Sequence, residues 1–119
     1  MQNSPKNLYK KLLGLKGEKL AEKTLKKQGY KIIKTNYVTP FGEADLVCEK
    51  EGVTVFVEVK TRTSLKYGTP AQAVDYKKQK KYRDIANYYL KSNDLTDIPI
   101  SFTVVEILDD SVNIITDAF

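Results

Sequence analysis

Asp45 is followed thirteen residues later by Glu58-Val59-Lys60. Two carboxylates and an ammonium at that spacing carry chemistry if the chain folds them together. Carboxylate oxygens, a backbone carbonyl and waters suit Mg²⁺. A lysine beside such a cation can help deprotonate a water and offset the charge on a phosphate. The surrounding segment, Gly42 to Thr63 (GEADLVCEKEGVTVFVEVKTRT), reads as two strands around a hairpin turn at Lys50-Glu51-Gly52. In Val53–Thr61, alternation puts Val53, Val55, Val57 and Val59 on one face and Thr54, Phe56, Glu58 and Lys60 on the other. In the preceding strand Glu43, Asp45 and Val47 share a face, so pairing across the turn lets Asp45 approach Glu58. Charges at the end of a buried hairpin are costly to desolvate. A divalent cation between the acids is one reading; a structural Asp–Lys or Glu–Lys ion pair at a sheet edge is the other.

The rest of the composition narrows the chemistry. The 119 residues include no histidine, which excludes a Ser-His-Asp triad, a Cys-His dyad and histidine metal ligands. The single cysteine, Cys48, excludes a disulfide framework and a cysteine zinc site, and suits a reducing compartment. No apolar run approaches membrane-spanning length. The opening MQNSPKNLYKK lacks the apolar core of a signal peptide. A soluble, cytoplasmic chain with no membrane contact is expected. Catalysis then rests on carboxylates, lysines, hydroxyls or a metal held by oxygen.

The elements that must position the hairpin read as one domain over residues 1–119, with 1–7 a mobile terminus. A helix from about Leu8 or Gly17 to Gln28 is stopped by Gly29. Its inner face holds Gly17, Leu20, Ala21, Thr24, Leu25 and Gln28, with Glu18 at the edge of the arc. Tyr30 to Val38, Gly42 to Glu49 and Val53 to Thr61 are strands. A second helix is predicted from about Thr69 or Pro70 to Leu90, with the stripe Ala71, Val74, Lys78, Tyr82, Ile85, Ala86 and Tyr89. Lys78 is a charge on an apolar stripe. After a loop at Asn93–Pro99, Ser101–Leu108 and Val112–Thr116 form a hairpin around Asp109-Asp110. The order αβββαββ predicts an α/β domain, a mixed central sheet flanked by helices.

The net charge of +5 is unevenly spread. Residues 1–36 hold ten lysines and two glutamates, and residues 69–92 hold six bases and two acids. Residues 93–119 hold six acids and no base. Basic helices suggest a polyanion partner, because lysines near phosphates release counterions. They are also simply well solvated.

At this point the residues resemble a known group. Asp45 with Glu58-Val59-Lys60 matches the D…ExK signature of the PD-(D/E)xK nucleases, which share the restriction-endonuclease-like fold. A longer set is similar to the YraN family, described as resembling archaeal Holliday-junction resolvases. That set is Gly17-Glu18-x-x-Ala21, Gly29-Tyr30, Asn36, Gly42-Glu43-x-Asp45-Leu46, Val55 to Arg62, Tyr67-Gly68-x-Pro70, and Val74 followed by Lys78-Gln79. The resemblance implies an Mg²⁺- or Mn²⁺-dependent endonuclease acting on DNA, including branched or single-stranded forms. It makes Asp45, Glu58 and the Val59 carbonyl metal ligands, with Glu18 completing the acidic cluster. It makes Lys60 the catalytic lysine and gives Lys78 a place in the site. Glu43 and Gln79 become supporting residues around them, Glu43 alternatively a turn residue. Arg62, Lys66, Lys77 and Lys81 are candidate DNA contacts. A homodimer is implied as well, since a junction has two scissile strands related by symmetry.

The chain also departs from that pattern. Where the family carries an Arg-Phe-Asp-Val-Val-like strand, this sequence has Ser101-Phe102-Thr103-Val104-Val105. Ala44 replaces the signature proline before the aspartate. Two further readings therefore stand beside the enzyme. One is a binding module that holds nucleic acid without cutting it. The other is an interaction protein whose acidic C-terminal segment, residues 109–119, docks a basic partner, against the simpler view of that segment as a final strand.

Overall fold

A computed structural model describes residues 5–62 and 74–119. Helix α1 (Pro5–Lys27) is followed by strands β1 (Lys31–Thr39), β2 (Gly42–Lys50) and β3 (Val53–Arg62). Helix α2 (Tyr76–Ser92) then leads to β4 (Ile100–Leu108) and β5 (Ser111–Ile115). The predicted order αβββαββ holds over the described residues.

The five strands form one sheet in the order β1-β2-β3-β4-β5. Every neighbouring pair is antiparallel except β3 and β4, which run parallel. A parallel pair needs a crossover, and α2 lies in that connection. The result is the mixed, helix-flanked α/β sheet expected, an arrangement consistent with the restriction-endonuclease-like fold. The β2–β3 turn is as short as a hairpin allows: Lys50 pairs with Val53, and Glu51 and Gly52 take φ of 51° and 81°. Two positive φ values in a two-residue loop give the type I′ twist that matches paired strands.

Each face of the sheet has its own helix and core. On one face Ala21 and Leu25 of α1 pack with Leu46, Cys48, Val55, Val57, Val105 and Ile107. On the other, Tyr82, Ile85, Ala86 and Tyr89 of α2 pack with Val47 and Phe56. Strand β3 is thus buried on both sides, which explains its nearly unbroken apolar sequence. The valine face and the Phe56 face fall as alternation predicts.

Helix ends differ from expectation in two places. Helix α1 begins at Pro5, earlier than Leu8 or Gly17; residues 1–4 lie outside the described residues. Proline is favoured at a first helical position because its φ is preset and its missing N–H has no partner to lose. The C-terminus closes as foreseen at Gly29 (φ 93°), with Tyr30 N–H donating to Leu25 C=O and Gly29 N–H to Lys26 C=O. Helix α2 begins at Tyr76 rather than Thr69 or Pro70. Asp75 is extended and its carboxylate accepts the Lys78 N–H at 2.9 Å, which fixes the helix start there. Residues 63–73, including Ala71 of the expected stripe, lie outside the described residues.

Candidate active site

Strand β2 changes its facing in the middle, and Asp45 stands at the change. Tyr37 contacts Tyr89 of α2 and pairs with Ala44, so Ala44 faces α2. Leu46 packs on the α1 side, two residues later. Regular alternation would put both on one side. Across the strand, Asn36 has a left-handed φ of 50°. Glu43 and Val47 therefore do not share a face as simple alternation suggests.

This distortion lets Asp45 meet groups from both helices. The β2–β3 ladder pairs Leu46 with Val57, and the next positions outward are Asp45 and Glu58. There the Asp45 carboxylate, rather than a backbone carbonyl, accepts the Val59 N–H at 2.7 Å. Burial pushes the Asp45 carboxyl up to about 7, despite that hydrogen bond. The charges of Glu58 and Glu18, and a hydrogen bond with Glu18, push the same way. Glu18 is carried there by α1, whose Gly17 is buried against the Thr61 side chain of β3.

The positive side of the site comes from β3 and α2. Lys78 Nζ lies 2.8 Å from Glu58 Oε1. Burial opposes the charged form of Lys78, but its hydrogen bond and attraction to Glu58 win, and its pKa rises. Lys60 has the opposite fate: burial, then the adjacent Lys78, lowers its pKa. Tyr82 lies beneath. Its hydroxyl donates to the Val57 carbonyl at 3.4 Å, and burial with the nearby Glu58 and Asp45 charges raises its pKa far above normal.

Asp45, Glu58, Glu18, Lys60 and Lys78 are thus brought together from four elements. Other expected residues are not. Glu43 is exposed on β2. Gln79 donates its side-chain N–H to the Val74 carbonyl at 3.2 Å and steadies the entry into α2. Arg62 is turned inward, with Nε 3.7 Å from Glu106 Oε1 and its side chain 14% exposed. Lys77 is exposed and Lys81 half-buried; Lys66 lies outside the described residues. Of the departures, Ser101 is half-buried and Thr103 is buried beside Val57, its hydroxyl unpartnered among the described residues. Within the acidic C-terminal stretch Ser111–Ile115 forms β5, and Phe119 stacks on Phe102 at 4.8 Å. That arrangement fits the simpler view of a final strand.

Two residues were not singled out from the sequence. The Tyr82 hydroxyl was hidden by its place on an apolar stripe. Glu106 is buried on β4 opposite Lys60, and its signal was a lone acid inside Val104-Val105-Glu106-Ile107-Leu108.

The donor set suits a hard divalent cation. No three acids, cysteines or histidines among the described residues converge into a ready cage. Mg²⁺, however, is usually held by one or two carboxylates with waters completing its shell. Asp45 and Glu58 supply two. A strand residue's N–H and C=O leave on the same side, so the Val59 carbonyl also faces β2. The raised pKa of Asp45 comes first from burial, with the charges of Glu58 and Glu18 adding to it.

A profile described as "Uncharacterised protein family UPF0102" matches residues 17–107. The chain belongs to this family, which is the YraN type. A UPF0102 protein of Syntrophomonas wolfei is 48% identical over 111 residues, covering 90% of this chain and 96% of that one. One of Clostridioides difficile is 41% identical over 105 residues, covering 87% and 92%. One of Caldicellulosiruptor bescii is 40% identical over 116 residues, covering 92% and 98%. The segment matched to the UPF0102 family contains all the residues gathered at the site, from Glu18 to Lys78. Among the described residues, no helix is long and apolar enough to cross a membrane.

Proposed function

We propose that this UPF0102 protein is a divalent-metal-dependent endonuclease acting on DNA, branched forms included. The observation that carries the reading is the meeting of Asp45 with Glu58 at the open end of the β2–β3 ladder, with Lys60 and Lys78 beside them. Asp45, Glu58 and the Val59 carbonyl would hold Mg²⁺ or Mn²⁺, with Glu18 close by. When bound, the ion supplies Lewis-acid charge at a phosphate and lowers the pKa of a water.

The protein's own residues do the rest. The Val59 N–H fixes one oxygen of Asp45, so the carboxylate is oriented before any ligand arrives. Lys78 holds Glu58 in place. Lys60, whose pKa is lowered by burial and by Lys78, has a neutral fraction larger than an ordinary lysine's. Its Nζ can take a proton from an attacking water, and its charged form can balance a phosphate oxygen. The Tyr82 ring seals the floor of the site against the α2 core.

The test is a titration of Mg²⁺ and Mn²⁺ against branched, flapped, single-stranded and duplex DNA. Metal-dependent cutting is expected, with Asp45→Ala and Lys60→Ala each reducing it at least about 100-fold. Cutting that survives in both variants defeats the mechanism. Cutting that disappears on further purification defeats the enzyme. The binding-module reading has one observation of its own, the close Lys78–Glu58 pair that occupies a would-be ligand. It predicts DNA binding that needs no metal and survives Glu58→Ala.

A further inference from the structure

We propose that Phe41 and Tyr88, flanked by the lysines of α2, form a stacking platform for unpaired nucleotides of single-stranded DNA next to the acidic cluster. The inference deepens the nucleic-acid reading above by naming the form of DNA that this face takes.

Phe41 is 52% and Tyr88 36% exposed. Their rings lie 6.3 Å apart and 68° from parallel. The backbone that carries Phe41 is pinned. It follows Pro40 in the β1–β2 turn, the Thr39 hydroxyl accepts the Phe41 N–H at 3.1 Å, and the same hydroxyl donates to the Gly42 carbonyl at 2.8 Å. A ring carried on a pinned turn needs no backbone ordering when a base stacks on it.

Lysines border these rings. Gly42 has φ of 134°, and a Cβ there would come within 2.7 Å of Lys81 Cδ. The Lys81 stem therefore crosses the turn directly. Along α2, Lys77, Lys81, Asp84 and Tyr88 follow at spacings of three and four, which places them on one flank. The helix carries Lys77, Lys78, Lys80, Lys81, Arg83 and Lys91 against a single acid, Asp84. Lys80 already pairs with that acid at 2.8 Å.

Lys78 is likewise paired, with Glu58, so the cations offered beside the rings are Lys77 and Lys81. Aromatic faces flanked by lysines match a strand that offers both open base faces and phosphates. A duplex keeps its bases stacked inside and has no free face to offer. A second copy of the chain would bring like-charged helices together, which is repulsive. The position is also apt: Gly42 is three strand residues from Asp45, about 10 Å along β2. A strand lying over the platform passes beside the site.

The experiment measures anisotropy of a labelled oligonucleotide, single-stranded or annealed as a blunt duplex, in EDTA so that no cleavage occurs. Phe41→Ala and Tyr88→Ala are each expected to weaken single-strand binding about 5- to 150-fold, the range for losing one stacked base, and to change duplex binding less than about twofold. Tyr88→Phe keeps the ring and should bind like the unaltered protein. Thermal melting of each variant confirms that it is folded. An equal loss on both DNA forms, or no loss on either, overturns the platform. So does a dimer in sedimentation that Phe41→Ala dissolves, which would assign the face to a second copy. The result is separable from the proposed activity. A protein that never cuts but loses single-strand affinity in Phe41→Ala keeps the platform and loses the nuclease; one that cuts but shows no such loss does the reverse.

Discussion

The Asp45 carboxylate accepts the backbone N–H of Val59 at 2.7 Å. A side chain thus takes the place of a carbonyl where the β2–β3 ladder ends. That exchange holds the aspartate at the mouth of the hairpin and turns it toward Glu58 and Glu18. It also buries an acid among acids, and this gives the site a measurable signature.

That signature is pH-dependent stability. Asp45 titrates near 7 in the folded protein, against about 3.9 when unfolded. Between those values the folded state holds a proton that the unfolded state has released. Stability is therefore greatest below about pH 4 from this group and falls as pH rises through 7, by on the order of 2–4 kcal/mol. Melting in EDTA should show Tm dropping between pH 5 and pH 8, and Asp45→Asn, which keeps an oxygen to accept the Val59 N–H, should flatten the slope. At pH 8, Mg²⁺ should raise the Tm of the unaltered protein and leave Asp45→Asn unmoved. An Mg²⁺ response of equal size in both would place the ion elsewhere.

Lys78 bridges helix and sheet. Its ammonium contacts Glu58 with side chains only 25% and 12% exposed. Removing one member of such a pair strands the other charge away from water. Lys78→Met is expected to cost about 2–4 kcal/mol in urea unfolding at pH 7. Adding Glu58→Gln should recover more than half of that loss. If the single variant is as stable as the parent, the pair is solvated and contributes nothing.

The placement of Glu18 depends on Gly17. A methyl group there would meet the Thr61 hydroxyl. Alanine gains about 1 kcal/mol in helix propensity over glycine, but overpacking typically costs about 1–3 kcal/mol. Gly17→Ala should therefore be neutral to about 2 kcal/mol destabilising and should lower the Asp45 pKa by moving Glu18 away. Thr61→Ala in the same chain should restore both stability and pKa. Carbon-detected NMR titration of Asp45 in the two variants checks this, and an unchanged pKa in Gly17→Ala would show that α1 does not set Glu18.

Much of this arrangement was legible in the sequence, for reasons that can be named. Strand β3 alternates cleanly, so Glu58 and Lys60 could be placed on one face. Lys78 interrupted an apolar stripe, and Gly29 marked a helix end. The β2 facing was misread because the change at Asp45 comes from backbone geometry opposite Asn36, which side-chain periodicity does not encode. The start of α2 was misread because Asp75 can sit within a helix or cap one, and only its extended backbone decides. Arg62 read as a surface base, yet the acid that draws it inward lies 44 positions away in the chain, on β4.

That inward pair is incompletely made. Arg62 Nε and Glu106 Oε1 are 3.7 Å apart, and both atoms are buried with no hydrogen-bond partner among the described residues. The separation is too long for a hydrogen bond, so the desolvation of these two atoms is poorly offset. Arg62→Met alone leaves the Glu106 carboxylate buried and should cost about 2–4 kcal/mol. Replacing both, Arg62→Met with Glu106→Leu, should come within about 1 kcal/mol of the parent or exceed it, because apolar side chains need no partner there. Urea unfolding of the two single variants and the double variant measures the coupling directly. A double variant as unstable as the sum of the singles would mean that the two charges do not act as a pair, and that each is held by something else.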